Sequence, residues 1–197
     1  MAVSAAEVKK LREATGAAML DCKNALEQNN GDFEKSLEWL KEKGLAKAAK
    51  KADRVTKDGR VEVYVHPGNR VAVMVEINCE TDFVAKTEAF QNFTHDVALH
   101  IAMANPKYVD VADIPTAELE AARSEFRNQA VAEGKPADLA EKVAEGRLEK
   151  FYQEACLLRQ PFIKDEEKII DQMLKEAIAS IGENMNIRRF VRYELGN

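Results

Sequence analysis

The chain of 197 residues carries 34 acidic against 29 basic side chains, a formal net charge of -5, and 46% of it is hydrophobic. That length allows one large domain or two small ones around a real core, and the acidic balance leaves no global positive field to attract nucleic acid. The opening residues lead at once into Glu7, Lys9 and Lys10 with no long apolar stretch, and no later run approaches a membrane span, so a cytoplasmic protein without membrane contact is expected. Cys22, Cys79 and Cys156 lie far apart and form no CxxC pair, which points to reduced thiols and away from a disulfide framework or a zinc site.

Ser4 with Glu7 has the form of a capping box, and Val8 and Leu11 then share one face of a helix that stops near Thr15 and Gly16. A second helix begins at Met19, carries Cys22 and Leu26 and stops at Asn30-Gly31; Asp32 caps a third that carries Phe33, Leu37 and Leu40 and ends before Gly44. Residues 45–59 are rich in Ala, Lys and Arg, finish at Asp58-Gly59, and read as a linker with partial helical character. Alternation over residues 60–65, a turn at Pro67-Gly68-Asn69 and a β-branched run over 71–77 predict a β-hairpin.

At Thr81-Asp82 the hydrophobic period lengthens, and Phe90, Phe93, Val97 and Ile101 fall on one face of a helix that follows the hairpin directly and ends at Asn105-Pro106. Pro115-Thr116 opens a helix with Leu119, Ala122 and Phe126, and Gly134-Lys135-Pro136 turns the chain into an antiparallel partner with Leu139 and Val143; the pair spans about 114–160. Residues 166–181 place Ile170, Met173, Leu174, Ala177, Ile178 and Ile181 on one side of a core-facing helix stopped by Gly182. Residues 187–195 alternate as a last strand that returns to the sheet of the hairpin, so the fold class is α+β.

Few residues suggest chemistry. His95 and His100 are five apart and point away from each other on a helix, so no shared metal is expected; solvated or hydrogen-bonded histidines fit all three, His66 included. Cys79 ends a strand just before a helix start, where a dipole lowers a thiol pKa, yet no catalytic partner or phosphate loop accompanies it, and a buried cysteine closing a strand is the ordinary reading. Lys47, Lys50, Lys51, Arg54, Lys57 and Arg60 offer phosphate contacts for an RNA-binding reading, but no aromatics interleave them for base stacking. On spacing alone Phe83, seven residues before Phe90, belongs to the core stripe of that helix.

Three stretches in order resemble the elongation factor Ts family: residues 11–23, which include Leu11, Thr15, Gly16, Met19 and Leu20; Lys47-Ala48-Ala49-Lys50-Lys51-Ala52; and Asn78-Cys79-Glu80-Thr81-Asp82-Phe83-Val84-Ala85. Further matches follow at Glu133-Gly134-Lys135-Pro136, Glu145-Gly146-Arg147, Gln160-Pro161-Phe162 and Ile181-Gly182-Glu183-Asn184, so the similarity covers nearly the whole chain. The resemblance implies a three-helix domain similar to ubiquitin-associated domains over residues 1–54 with the start of a linker. An α+β core with an antiparallel sheet and an inserted antiparallel coiled coil would follow over 55–197.

It also implies a nucleotide exchange factor, not an enzyme and without a cofactor or direct nucleic-acid contact, whose partner is elongation factor Tu in its GDP-bound and nucleotide-free forms. By the same resemblance Thr81, Asp82, Phe83 and Val84 displace the Mg2+ of that partner, with Phe83 reversed from core to wedge, while Leu11, Thr15, Gly16, Met19 and Leu20 hold the partner. Met19 and Leu20 are adjacent and cannot both face inward on one helix. Sequence for only one hairpin-plus-helix unit implies the short form of the family, a homodimer binding two partners, with the closing strand as candidate interface.

Overall fold

In the computed structural model, which describes residues 3–196, the first helix, α1 (Ala5–Thr15), opens with the capping box: the Ser4 hydroxyl accepts from the Glu7 amide and the Glu7 carboxylate accepts from the Ser4 amide. Gly16 ends it in the left-handed region at φ 65. Helix α2 (Met19–Gln28) and helix α3 (Phe33–Ala49) follow, the latter capped by Asp32, and Val8, Leu11, Cys22, Ala25, Leu26 and Leu40 form their common core.

Helix α3 does not stop before Gly44. It runs on to Ala49, because the Ala- and Lys-rich residues that follow are good helix formers and Gly44 serves a packing purpose instead. A Cβ on Gly44 would lie 3.3 Å from that of Ala179, so the missing side chain admits a neighbouring helix. The linker is thereby shortened to residues 50–57.

Strands β1 (Asp58–Val65) and β2 (Val71–Cys79) form the expected hairpin, in which the His66 amide donates to the Val71 carbonyl, and Val73, Val75 and Ile77 alternate inward on β2. The helix after it is broken in two: a single turn α4 (Asp82–Ala85), then α5 (Glu88–Ala104). Two threonines explain the break. Thr81 Oγ1 accepts from the Val84 amide to cap the first, and Thr87 Oγ1 accepts from the Phe90 amide to start the second.

Helices α6 (Thr116–Ala132) and α7 (Ala137–Ala155) pack antiparallel across the turn at Gly134, as the sequence predicts. Alanines make the seam: Ala130, Ala140 and Ala144 are fully buried, with Leu148 near the base, whereas Leu119, Phe126 and Val143 are only half-buried and Leu139 is exposed. Beyond the pair come strands β3 (Pro161–Phe162) and β4 (Asp165–Ile169), a small antiparallel hairpin. Residues 166–169 are therefore strand, not helix, since the Ile170 amide is already committed to the Gln160 carbonyl. Helix α8 (Ile170–Ile181) and strand β5 (Met185–Glu194) close the chain, and the main sheet has the order β1-β2-β5.

The chain divides into two compact units, and the boundary cuts β1, β2, α5, α8 and β5. One unit comprises residues up to 61, 76–94 and 172–186; the other comprises 62–75, 95–171 and 187 onward. In the second unit, Tyr64 stacks edge-on against His95 of α5 and Arg192 donates to the Ala102 carbonyl, so Val63, Val65, Val191 and Tyr193 face away from that helix. Met74, between buried Val73 and Val75, faces the same way, and all five are exposed. His100 is buried there, with Nε2 2.9 Å from Gln160 Oε1 and the Ile163 amide donating to Nδ1.

Gly59 adopts φ +147, and a Cβ there would sit 2.2 Å from the Ile77 carbonyl oxygen of the neighbouring strand. Substitution Gly59→Ala should therefore lower unfolding free energy by about 2–4 kcal/mol, since neither backbone can give way cheaply. Urea denaturation with an unchanged slope and a lower midpoint is the expected result; an unchanged midpoint would refute the close approach.

Candidate functional site

Phe83 is 80% exposed, the most exposed large hydrophobic side chain among the described residues, while Phe90 is fully buried. A continuous helix from Thr81 would stack the two on one stripe, and the interruption between α4 and α5 is what turns Phe83 outward. The core role that spacing alone assigns to Phe83 is thus overturned. Thr81 and Asp82 are also exposed and Val84 is half-buried. Asp82 pairs with Lys86 at 2.7 Å, and this hydrogen bond holds its carboxyl below the usual range.

The backbone under Phe83 is fixed by groups distant in sequence. The Glu183 carboxylate accepts from the Glu80 amide at 3.1 Å, the Thr81 amide at 3.0 Å and the Thr81 hydroxyl at 2.7 Å. Glu80 in turn accepts from the Asn184 amide at 2.6 Å and faces Arg54 at 3.4 Å. The Asn184 side-chain amide, itself buried, donates to the carbonyls of Ala52 and Arg54, and Lys51 donates to the Gly182 carbonyl.

The other residues singled out from the sequence lie in the same unit, around the turn between α1 and α2. Met19 is 49% exposed and Leu20 67%, so both are available. Leu11 is fully buried in the three-helix core and contributes no surface of its own. Thr15 lies half-buried, its hydroxyl donating to the Leu11 carbonyl at 2.7 Å, and the Gly16 carbonyl accepts from the Ser180 hydroxyl of α8 at 3.1 Å. A Cβ on Gly16 would come within 3.2 Å of that hydroxyl oxygen. Neither Ser180 nor Glu183 stands out by periodicity; only the run Ile181-Gly182-Glu183-Asn184 hints at them.

Competing chemistries lose ground. Cys79 is buried with its thiol donating to the Thr81 carbonyl at 3.1 Å, and burial, with Glu183 nearby, pushes its pKa up to about 11, the reverse of activation by a helix dipole. At least three of the six basic residues around the linker are paired within the fold: Lys47 lies 2.6 Å from Asp21, and Lys51 and Arg54 are engaged as above; burial lowers the pKa of Lys51. Among the described residues no cluster of three or more His, Cys, Asp or Glu could hold a metal ion, and no helix is long and apolar enough to cross a membrane.

The chain matches the family described as Elongation factor TS over residues 5–197. It is 59% identical over 189 residues to Elongation factor Ts of Carboxydothermus hydrogenoformans, covering 96% of this chain and 87% of that protein. It is 55% identical to the Caldanaerobacter subterraneus protein of the same name over 194 residues, 98% and 97% of the two chains. With the Herpetosiphon aurantiacus protein it shares 53% identity over 197 residues, all of both chains.

The thiol pKa of about 11 predicts that Cys79 stays unmodified when the native chain meets iodoacetamide at pH 8, where about one such thiol in a thousand is ionised, and reacts once urea unfolds the chain. Rapid labelling of the native protein would contradict this. Because the folded-state value lies above the ordinary 9.0, the protonated thiol contributes stability that is complete below pH 9.0 and is lost as pH rises through about 11.

Proposed function

Since the chain belongs to the elongation factor Ts family, we propose that it is a translation elongation factor of the cytoplasm that binds GDP-bound elongation factor Tu, displaces the Mg2+ of that partner and promotes GDP release so that GTP can enter. It acts by binding and makes no covalent bond. The observation that carries this reading is Phe83, a large ring held 80% exposed on a capped single turn.

In this reading Thr81, Asp82, Phe83 and Val84 enter the nucleotide-binding domain of the partner, and Phe83 wedges between its helices. Mg2+ demands near-ideal octahedral geometry, so a small displacement of the groups around it loosens the grip on the β-phosphate of GDP. Asp82, already neutralised by Lys86, repositions partner groups and does not take the metal itself.

Magnitudes require a second contact. Loosening a nucleotide complex a thousandfold takes roughly 4 kcal/mol of differential binding, whereas burying one phenylalanine supplies about 1.5–3 kcal/mol before any distortion of the partner. Met19 and Leu20, beside Thr15 and Gly16, provide the docking patch, and Leu11 supports it from beneath. Residues 1–54 then form the ubiquitin-associated-like docking domain and the start of the linker, 55–197 form the α+β core and dimerisation domain, and the α6–α7 pair is the inserted coiled coil. Coupling is reciprocal, so nucleotide entering the complex expels the factor.

Stopped-flow release of fluorescent GDP from elongation factor Tu separates the two roles. Phe83→Ala should lower the maximal rate about tenfold or more without shifting the thermal midpoint noticeably, while Met19→Ala with Leu20→Ala should mainly raise the half-saturating concentration, by about tenfold. A wild-type rate from Phe83→Ala would remove the wedge.

We further infer a homodimer that binds two copies of the partner. Val63, Val65, Met74, Val191 and Tyr193 leave an apolar sheet face in water, and burying it against the same face of a second copy, closing strand included, removes the cost. Sedimentation equilibrium should then give twice the 22.0 kDa chain mass; 22.0 kDa throughout the micromolar range would refute the dimer.

A further inference from the structure

The turn after α8 gathers polar groups from three separate stretches of chain. Glu183 takes both amides at the exit of β2, Glu80 takes the amide at the entry to β5, and Asn184 holds the linker carbonyls of Ala52 and Arg54. The two carboxylates are crossed, each accepting from the backbone beside the other, and charge-assisted bonds of this kind are the strong ones. The carboxylate bonds converge on Glu80 and Thr81, the two residues that precede Asp82 and Phe83.

The Thr81 hydroxyl makes the arrangement directional. It donates its single proton to Glu183 at 2.7 Å, which leaves its lone pairs for the Val84 amide that it caps. Remove the carboxylate and three donors lose their acceptor together: the amides of Glu80 and Thr81 and the hydroxyl that starts α4. Phe83 then sits on a turn with neither a fixed origin nor an oriented cap, and an exposed phenyl ring falls back on the nearest apolar surface.

Helix α8 also reaches the docking patch, since Ser180 donates to the Gly16 carbonyl three residues before Glu183. One helix end thus touches both the turn beside Met19 and Leu20 and the turn beneath Phe83.

Resting on the exchange reading above, we infer that Glu183 is a positioning residue for exchange: its carboxylate keeps the 80–83 turn in the conformation that presents Phe83, without touching nucleotide or metal. Its loss should act on the maximal rate and spare docking.

The test compares wild type with E183Q, which keeps the size of the side chain, and E183A. Hydrogen exchange of the Glu80 and Thr81 amides, followed by NMR in the free chain, should speed up at least about tenfold in E183A and less in E183Q, whose remaining amide oxygen can still accept from the backbone, while Val73 and Val75 stay protected and report an intact fold. In the GDP-release assay the maximal rate of E183A should fall at least about tenfold and that of E183Q less, with the half-saturating concentration moved less than about twofold. In E183A, unchanged exchange at Thr81, or fast exchange there with undiminished GDP release, overturns the role while the activity of wild type stands. A wild-type chain that releases no GDP overturns the exchange reading and this role with it.

Discussion

A phenyl ring in water collapses onto the nearest apolar surface unless the backbone that carries it is prevented from following. Residues 80–83 are so prevented by the three hydrogen bonds that end on the Glu183 carboxylate and by the return bond from Asn184 to Glu80. The other features of this unit arrange themselves around that constraint. The linker can be short because Ala52 and Arg54 are held at the same point, and α4 can be a single turn because its cap is already oriented.

An exposed wedge is a cost to the free protein and becomes useful only against a partner. In the proposed exchange the wedge and the docking patch answer different demands, distortion and residence. A wedge without docking leaves before the partner rearranges, and docking without a wedge binds both states of the partner alike and shifts nothing. Ser180 and Glu183, three residues apart at the end of α8, place the two surfaces on one rigid support.

What the sequence makes legible is local. The Ser4–Glu7 box, the Gly16 stop, the hairpin and the turn at Gly134 each depend on residues within a few positions, and each is found where those residues put it. Failures arise where a distant partner decides. Gly44 looks like a helix end until Ala179 occupies the space of its missing side chain, and residues 166–169 look helical until β3 pairs with them. The break that turns Phe83 outward was available in Thr81 and Thr87, two capping residues six apart, but periodicity favours the continuous helix. Leu11 and Met19 flank one turn, yet only the packing of α1 on its neighbours tells that the first is core and the second surface. Glu183, 102 residues from Thr81, had no local signal beyond the company of its neighbours.

The buried thiol beside this turn belongs to the same argument. Cys79 donates to the Thr81 carbonyl, which also accepts from the Ala85 amide, so it adds a bond to the one backbone group of that residue that cannot donate to the carboxylate. A thiolate there would forfeit that bond and set a second negative charge near Glu183, and the rise of the Cys79 pKa to about 11 has burial and then Glu183 as its leading causes. The turn therefore sets an accepting carboxylate and a donating thiol side by side. Burial, with Glu183 nearby, keeps that thiol neutral. The strand-end position that makes Cys79 resemble a nucleophile in sequence is the position from which a neutral thiol can satisfy Thr81.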